Sequence, residues 1–227
     1  NNFNVNIKYN KNTIFNLDIH KNSITKKPYL ISTISNGNPY LLFFTKINNN
    51  NTCLFIDRKI LKGYTLPRII YCRYRFKDIV FNDTLIEGEL LKCTDGWKFL
   101  LNDCLVLNGN KCDKPILNRL SKIKKLLFTN YIYDPFIEIC SIKVKKYFSL
   151  DKKNILLFYN HINSLDYKVK GVNFHPAYFN EKTISYLFIK NVKKVNKKNI
   201  KISNTNININ INTNKKSNLI LMKTTLP

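Results

Sequence analysis

Short apolar runs separated by turn-forming residues fill the middle of this chain, and they constrain its fold more than any other feature. The runs are rich in β-branched and aromatic residues, and their length suits strands better than helices. Turn material such as NNNN and CTDG separates them. Strands are predicted in PYLLFFT (39–45), TCLFID (52–57), RIIYCRYRF (68–76), TLIEGELLKC (84–93) and WKFLLNDCLVL (97–107).

The connections between these strands are short, which predicts antiparallel pairing through hairpins. Asp95-Gly96, between two strand patterns, is a strong hairpin signal of this kind. Later in the chain, further strands are predicted over 138–148, 167–174 and 183–190.

Helices are predicted in the second half of the chain. Residues 114–128 carry apolar side chains at three- to four-residue spacing with lysines between them, the pattern of an amphipathic helix. A second helix is predicted over 151–162, opened by Ser149 or Asp151. Strands and helices together indicate an α+β fold.

The two ends of the chain differ in composition from the middle. Residues 1–27 are predicted to be a peripheral segment holding a strand or two, and residues 28–193 to be the folded domain. Residues 194–227 are predicted to be a basic, low-complexity tail, because they are rich in Asn and Lys and contain no acidic residue.

The formal net charge of +24 indicates a polyanionic partner such as nucleic acid. Lys, Asn and Ile are all encoded by codons rich in A and T, however, so a nucleotide bias could supply much of the lysine. Only five of the 38 basic residues are arginines. Composition alone therefore leaves open both a polyphosphate or RNA partner and a merely soluble basic surface.

Composition also argues against several other kinds of site. The six cysteines form no CxxC pair, which indicates reduced, buried thiols rather than a disulfide framework or a zinc site. No apolar stretch approaches the length of a membrane span, and no signal peptide is visible, so an intracellular protein without a membrane partner is expected.

Five features with chemical potential follow one another along the chain. They are Lys46 in TKINNNN, Glu89 in DTLIEGELL, Asp103 in WKFLLNDCLVLNG, the stretch VKGVNFHP at 169–176, and Lys190 in YLFIKN. In this order and spacing they resemble the nucleotidyltransferase motifs of the mRNA capping enzyme (RNA guanylyltransferase) and DNA/RNA ligase superfamily. The resemblance implies a nucleotidyltransferase fold, with twisted antiparallel sheets flanking a nucleotide cleft.

The first motif of that family reads Lys-x-Asp-Gly-x-Arg, and the resemblance makes Lys46 the nucleophile. Asn48 then takes the aspartate position and is expected to contact the nucleotide. Asn49 takes the glycine position, where asparagine tolerates a positive φ. Asn51 stands where the family has an arginine that contacts the sugar.

The acidic motifs match the family more closely. Glu89, in Glu-Gly-Glu, is expected to contact the ribose, and Glu89 and Asp103 are expected to hold Mg²⁺ or Mn²⁺. Asn102 replaces the aromatic residue that usually precedes that aspartate. A carboxylate in an otherwise apolar strand needs a hydrogen-bonding partner or a metal, which makes Asp103 part of a site or a support for one.

The last two motifs supply lysines. Lys170 stands where the family has a metal-placing carboxylate, and a lysine cannot bind Mg²⁺ but can neutralise phosphate. Lys190 and Lys193 take the places of the phosphate-binding lysines of the fifth motif. Each of them could equally be a solvated cation in a lysine-rich chain.

The chemistry implied by the resemblance is guanylyl transfer to RNA. Lys46 would attack the α-phosphate of GTP, release pyrophosphate and hold GMP as a phosphoramidate. Transfer of GMP to an RNA 5′ end would complete a cap, although the sequence does not decide between GTP and ATP. The basic surface and the aromatic residues Tyr71, Tyr74 and Phe76 offer a place for RNA, or else they belong to the core.

Two other functions remain open from the sequence. One is a non-catalytic member of the same fold that binds a cap or an RNA end, and the other is a basic structural or interaction protein. The family usually adds an oligonucleotide-binding barrel, which is not visible here, so it is either trimmed, supplied by another capping subunit, or not needed. The AT-rich bias suits a large DNA virus, with the host cytoplasm or the virion as location, and it fits an AT-rich cellular genome as well.

The capping interpretation makes one spatial prediction. The amine of Lys46 should lie in a cleft within reach of both Glu89 and Lys190.

Overall fold

Two β-sheets, a two-stranded ribbon and three α-helices form the framework of the part of the chain that the computed structural model describes, residues 12–178 and 182–188. In chain order, the strands are β1 (Thr13–Ile14), β2 (Tyr29–Ser35), β3 (Asn38–Ile47), β4 (Asn50–Asp57), β5 (Ile69–Cys72), β6 (Arg75–Phe76), β7 (Thr84–Cys93), β8 (Gly96–Leu107), β9 (Asn110–Lys111), β10 (Tyr131–Ile132), β11 (Ser141–Val144), β12 (Phe148–Ser149), β13 (Val169–Pro176) and β14 (Ile184–Leu187). The helices are α1 (Leu17–Lys26), α2 (Ile116–Asn130) and α3 (Lys152–Asn163).

The large sheet has the strand order β11-β8-β7-β3-β4-β5, with β9 paired to β8. The small sheet has the order β1-β14-β13-β2-β12, and β6 pairs with β10 as a separate ribbon. These two sheets, together with the helices, confirm an α+β fold. Pairing is mostly antiparallel, as predicted, but β11 runs parallel to β8 and β1 runs parallel to β14.

Buried and partly buried side chains alternate along β3 and distinguish the two faces of the large sheet. On β3, Tyr40, Leu42 and Phe44 are fully buried, whereas the odd-numbered residues between them are only partly buried. The buried face packs against α2 through Ile116, Leu120, Ile123 and Leu126, as the helical spacing predicts. The opposite face of the large sheet carries the candidate site.

The small sheet has its own apolar cluster. Ile24 of α1 and Phe158 and Ile162 of α3 pack with strand residues such as Ile31 and Val172. Helix α3 begins where predicted, because the side chain of Asp151 caps it by accepting from the Asn154 amide at 2.8 Å.

Several sequence predictions are wrong in detail. The segment predicted as one or two peripheral strands contains helix α1, capped by Asn16, after the two-residue strand β1. The run 68–76 is divided into β5 and β6. The hairpin between β7 and β8 exists, but Cys93 pairs with Gly96, so Thr94-Asp95 forms its loop.

Lys190, Lys193 and the predicted tail 194–227 lie outside the described residues, as do residues 1–11. In the described ranges, no helix combines the length and the apolarity that a membrane crossing requires. All six cysteines are buried and free, in agreement with the prediction from their spacing.

Candidate functional site

Glu89 lies where the two sheets meet, and it binds both. Its Oε2 atom accepts a hydrogen bond of 2.6 Å from Ser35 Oγ at the end of β2 and one of 2.9 Å from Lys145 Nζ just after β11. The side chain of Lys145 is only 2% exposed. This group of three side chains is called the Glu89 cluster below.

The Glu-Gly-Glu triplet explains how two carboxylates reach one face of β7. Because side chains alternate along a strand, Glu87 and Glu89 point the same way and Gly88 points the other way. A Cβ atom on Gly88 would lie 2.5 Å from both the Leu100 carbonyl oxygen and Phe99 Cζ. Glycine is therefore required for β7 to pack this closely on β8.

Glu87 lies beside the Glu89 cluster and forms an ion pair with Arg58, which follows β4. Burial raises the pKa of the Glu87 carboxyl, Arg58 opposes that shift, and the charge of Asp103 adds to it. Asp103 is paired directly with Glu87 across β7 and β8.

Arg119 of α2 holds Asp103 in a two-point ion pair. Its Nε and Nη2 atoms donate to the two carboxylate oxygens of Asp103 at 2.7 and 2.8 Å. The Cys104 amide also donates to Asp103 at 2.8 Å. This arginine supplies the partner that an acidic residue in an apolar strand needs.

Tyr147 and His175 close the inner side of the site. The Tyr147 hydroxyl donates to the Asn102 carbonyl at 2.7 Å, and its ring centroid lies 5.1 Å from that of His175. The His175 ring nitrogens lie within hydrogen-bonding distance of Ser32 and Thr183 hydroxyls, at 2.9 and 3.2 Å. Burial, helped by the charges of Lys145 and Arg119, lowers the pKa of His175 to about 3.

Lys46 does not lie at this site, so the spatial prediction for it is wrong. Pro39 is the β3 residue opposite Glu89, and Lys46 lies seven residues farther along the strand, about 23 Å away. An odd number of steps also places the two residues on opposite faces of the sheet. Lys46 can therefore not reach Glu89.

The asparagine run after Lys46 is a hairpin loop. Ile47 pairs with Asn50, and the two residues between them, Asn48 and Asn49, both have positive φ, 51° and 63°. Asparagine is favoured in two-residue hairpins for this reason. Asn48 thus lies with Lys46 at the far end of β3, away from the Glu89 cluster.

A different turn faces the acids: Asn36-Gly37, between β2 and β3. Gly37 donates to Ser35 Oγ at 2.9 Å, and a Cβ on it would lie 2.9 Å from the Leu90 carbonyl oxygen. Placed on this turn, the spacing Lys-x-Asp-Gly-x-Arg reads Ile34-Ser35-Asn36-Gly37-Asn38-Pro39. The glycine keeps its place in this register, but isoleucine stands at the lysine position.

Lys170 lies near the site but points to solvent. It occupies a bulge in β13, where the pairing with β2 shifts between Val169 opposite Ser35 and Gly171 opposite Ile34. Lys170 is therefore beside the residue that binds Glu89, with an exposed side chain available for an anion.

The predicted metal ligands do not fit a metal site as arranged. Glu89 is engaged by Lys145 and Asp103 by Arg119, so each carboxylate already has a cation. Across the described ranges, a three-residue group with metal-ligand spacing occurs at Cys93, Asp95 and Asp166, where Lys98 pairs with both aspartates. Binding of Mg²⁺ or Mn²⁺ by Glu89 and Asp103 stays a prediction.

The arrangement is suited to binding a polar anionic molecule. Three carboxylates, from Glu87, Glu89 and Asp103, can accept from hydroxyl or amino groups, and Arg58, Arg119 and Lys145 neutralise them. These three ion pairs are neutral as a set, so the exposed Lys170 nearby supplies the positive charge that a phosphate would meet, and a sugar would meet carboxylates.

Comparison with known proteins identifies the family of this chain. A family model described as mRNA capping enzyme, catalytic domain, matches residues 17–203, which is more than half of the 227 residues. No curated protein matches the chain.

Proposed function

The chain belongs to the mRNA capping enzyme family, and from that premise we propose that it binds a guanine nucleotide or a capped RNA 5′ end at the Glu89 cluster. In this proposal the bound molecule is held without a covalent bond to Lys46. The position of Lys46, at the far end of β3 and on the opposite face, carries this choice.

The residues at and beside the Glu89 cluster have different roles in this binding. Lys145 is a fixed cation for a phosphate, and the exposed Lys170 adds a mobile one. Glu89 accepts from ribose hydroxyls, a role that the family resemblance gives it. Arg119 and Tyr147 position Asp103 and the Asn102 backbone rather than contacting the ligand themselves.

Guanylyl transfer through a lysyl-GMP intermediate is the second candidate, and family membership favours it. A phosphoramidate would have to form on a lysine at the cluster. Lys145 is the described lysine whose amine contacts Glu89, at 2.9 Å. The family implies a divalent metal for this reaction, although Glu89 and Asp103 are already paired with Lys145 and Arg119.

One experiment separates the two candidates. The protein is incubated with α-labelled GTP and Mg²⁺ and run on a denaturing gel, while GTP and capped oligonucleotide binding are measured by calorimetry. We expect saturable binding and no covalent label. Lys145→Ala should weaken binding tenfold or more, since a charge-assisted hydrogen bond contributes about 1.5–3 kcal/mol. Lys46→Ala should bind like the wild type.

The controls make each outcome decisive. Lys145→Arg keeps the charge, so a partial recovery of binding excludes simple misfolding as the cause of the loss. A covalent label that survives in Lys46→Ala and disappears in Lys145→Ala would establish the transferase instead. Absence of saturable binding to either ligand would overturn the proposal.

A further inference from the structure

Arginine is concentrated in one short stretch of this lysine-rich chain. Of its five arginines, three are Arg68, Arg73 and Arg75, at or next to β5 and β6. A bias that supplies lysine throughout the chain does not explain why arginine gathers here. Arginine binds phosphate with a planar fork of donors and stacks on flat rings, which lysine does not do.

This stretch alternates between core and solvent. Cys72 and Tyr74 are buried in the core of the large sheet, while Tyr71, Arg73 and Arg75 are exposed. Tyr71 is 72% exposed. Arg75 pairs with Asp134 at 3.3 Å, whereas Arg73 forms no ion pair with a carboxylate of the described residues. Tyr71 and Arg73 therefore present a ring and a cation side by side.

A row of half-buried side chains connects the exposed face of β5 to Glu87, which lies beside the Glu89 cluster. Strand registers place Glu87 opposite Leu41, Leu41 opposite Ile56, and Ile56 opposite Ile69. Directly opposed side chains share a face, so one row leads from the acidic site to the sheet edge. Its length is three strand spacings, about 14 Å.

A groove accompanies this edge. It has a volume of 440 Å³ and is lined by Asn51, Thr52, Tyr71, Arg73, Ile137 and Ile139, with the two cysteines of β4 and β5 at its base. Its lining combines amides, a ring, a guanidinium and apolar side chains. Such a mixture suits unpaired bases and a phosphate backbone better than it suits a purely apolar partner.

We propose that the half-buried row from Leu41 through Ile56 to the exposed Ile69, together with the groove at Tyr71 and Arg73, binds single-stranded RNA. This inference rests on the proposed function, because it takes the Glu89 cluster as the place of the 5′ end. Tyr71 stacks on an unpaired base, and Arg73 binds the adjoining phosphate. The nucleotides next to the 5′ end lie along the row between these two sites.

The test uses fluorescence anisotropy with a labelled single-stranded RNA of about 12 nucleotides and with its duplex. Tyr71→Ala should weaken single-strand binding about tenfold, and Tyr71→Phe should restore it, because stacking needs only the ring. Arg73→Ala should weaken binding and lower the salt dependence by about 0.7 in the log–log slope, as expected for one lost phosphate contact. The duplex should bind more weakly than the single strand.

The matched control is Lys124→Ala, which removes one exposed charge from α2, on the other side of the large sheet. It should retain nearly full affinity. Equal affinities of Tyr71→Ala and the wild type, equal losses in Arg73→Ala and Lys124→Ala, or no RNA binding at all would overturn the inference. GTP binding measured in parallel should be unchanged in Tyr71→Ala. If GTP fails to bind while the Tyr71 effect persists, the proposed function fails and the RNA surface does not.

Discussion

Lys145 and Glu89 form a buried ion pair whose two members depend on each other. Each charged group has lost water, and their mutual contact at 2.9 Å compensates for that loss. The pair matters for stability as well as for binding, and the two roles can be separated by removing the partners one at a time.

Lys145→Met is expected to lower the free energy of unfolding by about 3–5 kcal/mol, because it leaves the carboxylate of Glu89 buried without its cation. Urea unfolding followed by circular dichroism measures this. Lys46→Met, the same substitution at an exposed lysine, should change stability by no more than about 0.5 kcal/mol. Equal effects of the two substitutions would show that the buried pair does not form.

Gly88 is a second residue whose replacement has a predictable cost. Gly88→Ala should destabilise the protein by about 1–3 kcal/mol, since the new methyl group would lie 2.5 Å from the Leu100 carbonyl oxygen. Gly63→Ala is the matched comparison, because nothing lies within 4 Å there and only a φ of +89° opposes the change. In thermal unfolding, the Tm of Gly88→Ala should be well below the Tm of Gly63→Ala.

At the scale of elements, the β3–β4 hairpin depends on its two-residue loop. Asn49→Val should lower the free energy of unfolding by about 1–2 kcal/mol, because a β-branched residue resists the φ of 63° found there. Asn50→Val, one position later and inside β4, should be neutral or stabilising since valine favours strands. A loop that tolerated Val at both positions equally would contradict the observed turn.

The elements that the sequence predicts well are those with strong local patterns. The main hairpin strands and helices α2 and α3 follow from alternation or helical spacing. Helix α1 escaped prediction because its signal is a cap: Asn16 Oδ1 accepts from the Asp18 amide at 2.9 Å in a stretch otherwise dominated by composition bias. Caps of this kind are easily missed where asparagine is common.

The site was only partly predictable for a related reason. Glu89 and Asp103 are conspicuous because acids are rare in apolar strands. Ser35, Lys145 and His175 join them only through tertiary packing, since they come from β2, the segment after β11, and β13. Lys46 was misplaced because a lysine beside asparagines imitates the motif in sequence, whereas its distance from Glu89 is set by the register between β3 and β7.

At the scale of the whole molecule, protonation of His175 makes the stability of the fold depend on pH. Its pKa in the folded state is about 3, below the usual value of 6.5, because burial disfavours the charged ring. The unfolded chain therefore binds more protons between these two pH values, and stability must fall as the pH falls through that window. Above about pH 6.5 this contribution is fully present.

The expected size of this effect is up to about 1.4 kcal/mol per pH unit from one histidine. Urea unfolding of the wild type between pH 7 and 4.5 should show the decline, and His175→Asn should flatten it, since an amide does not titrate there. Other groups contribute to the wild-type slope, so the difference between the two proteins is the quantity to measure. Identical slopes would mean that His175 is not buried as a neutral ring.

The large and small sheets each have their own apolar cluster, while ions and hydroxyls join them at Glu89. The apolar cluster of each sheet stabilises that sheet and its helices, and salt concentration changes this stabilisation little. The charged contacts at Glu89 that join the two sheets behave differently. Their strength depends on ionic strength and on any anion that binds between them. Small dissolved ions can thus change the strength of the contact between the two sheets while each sheet stays folded.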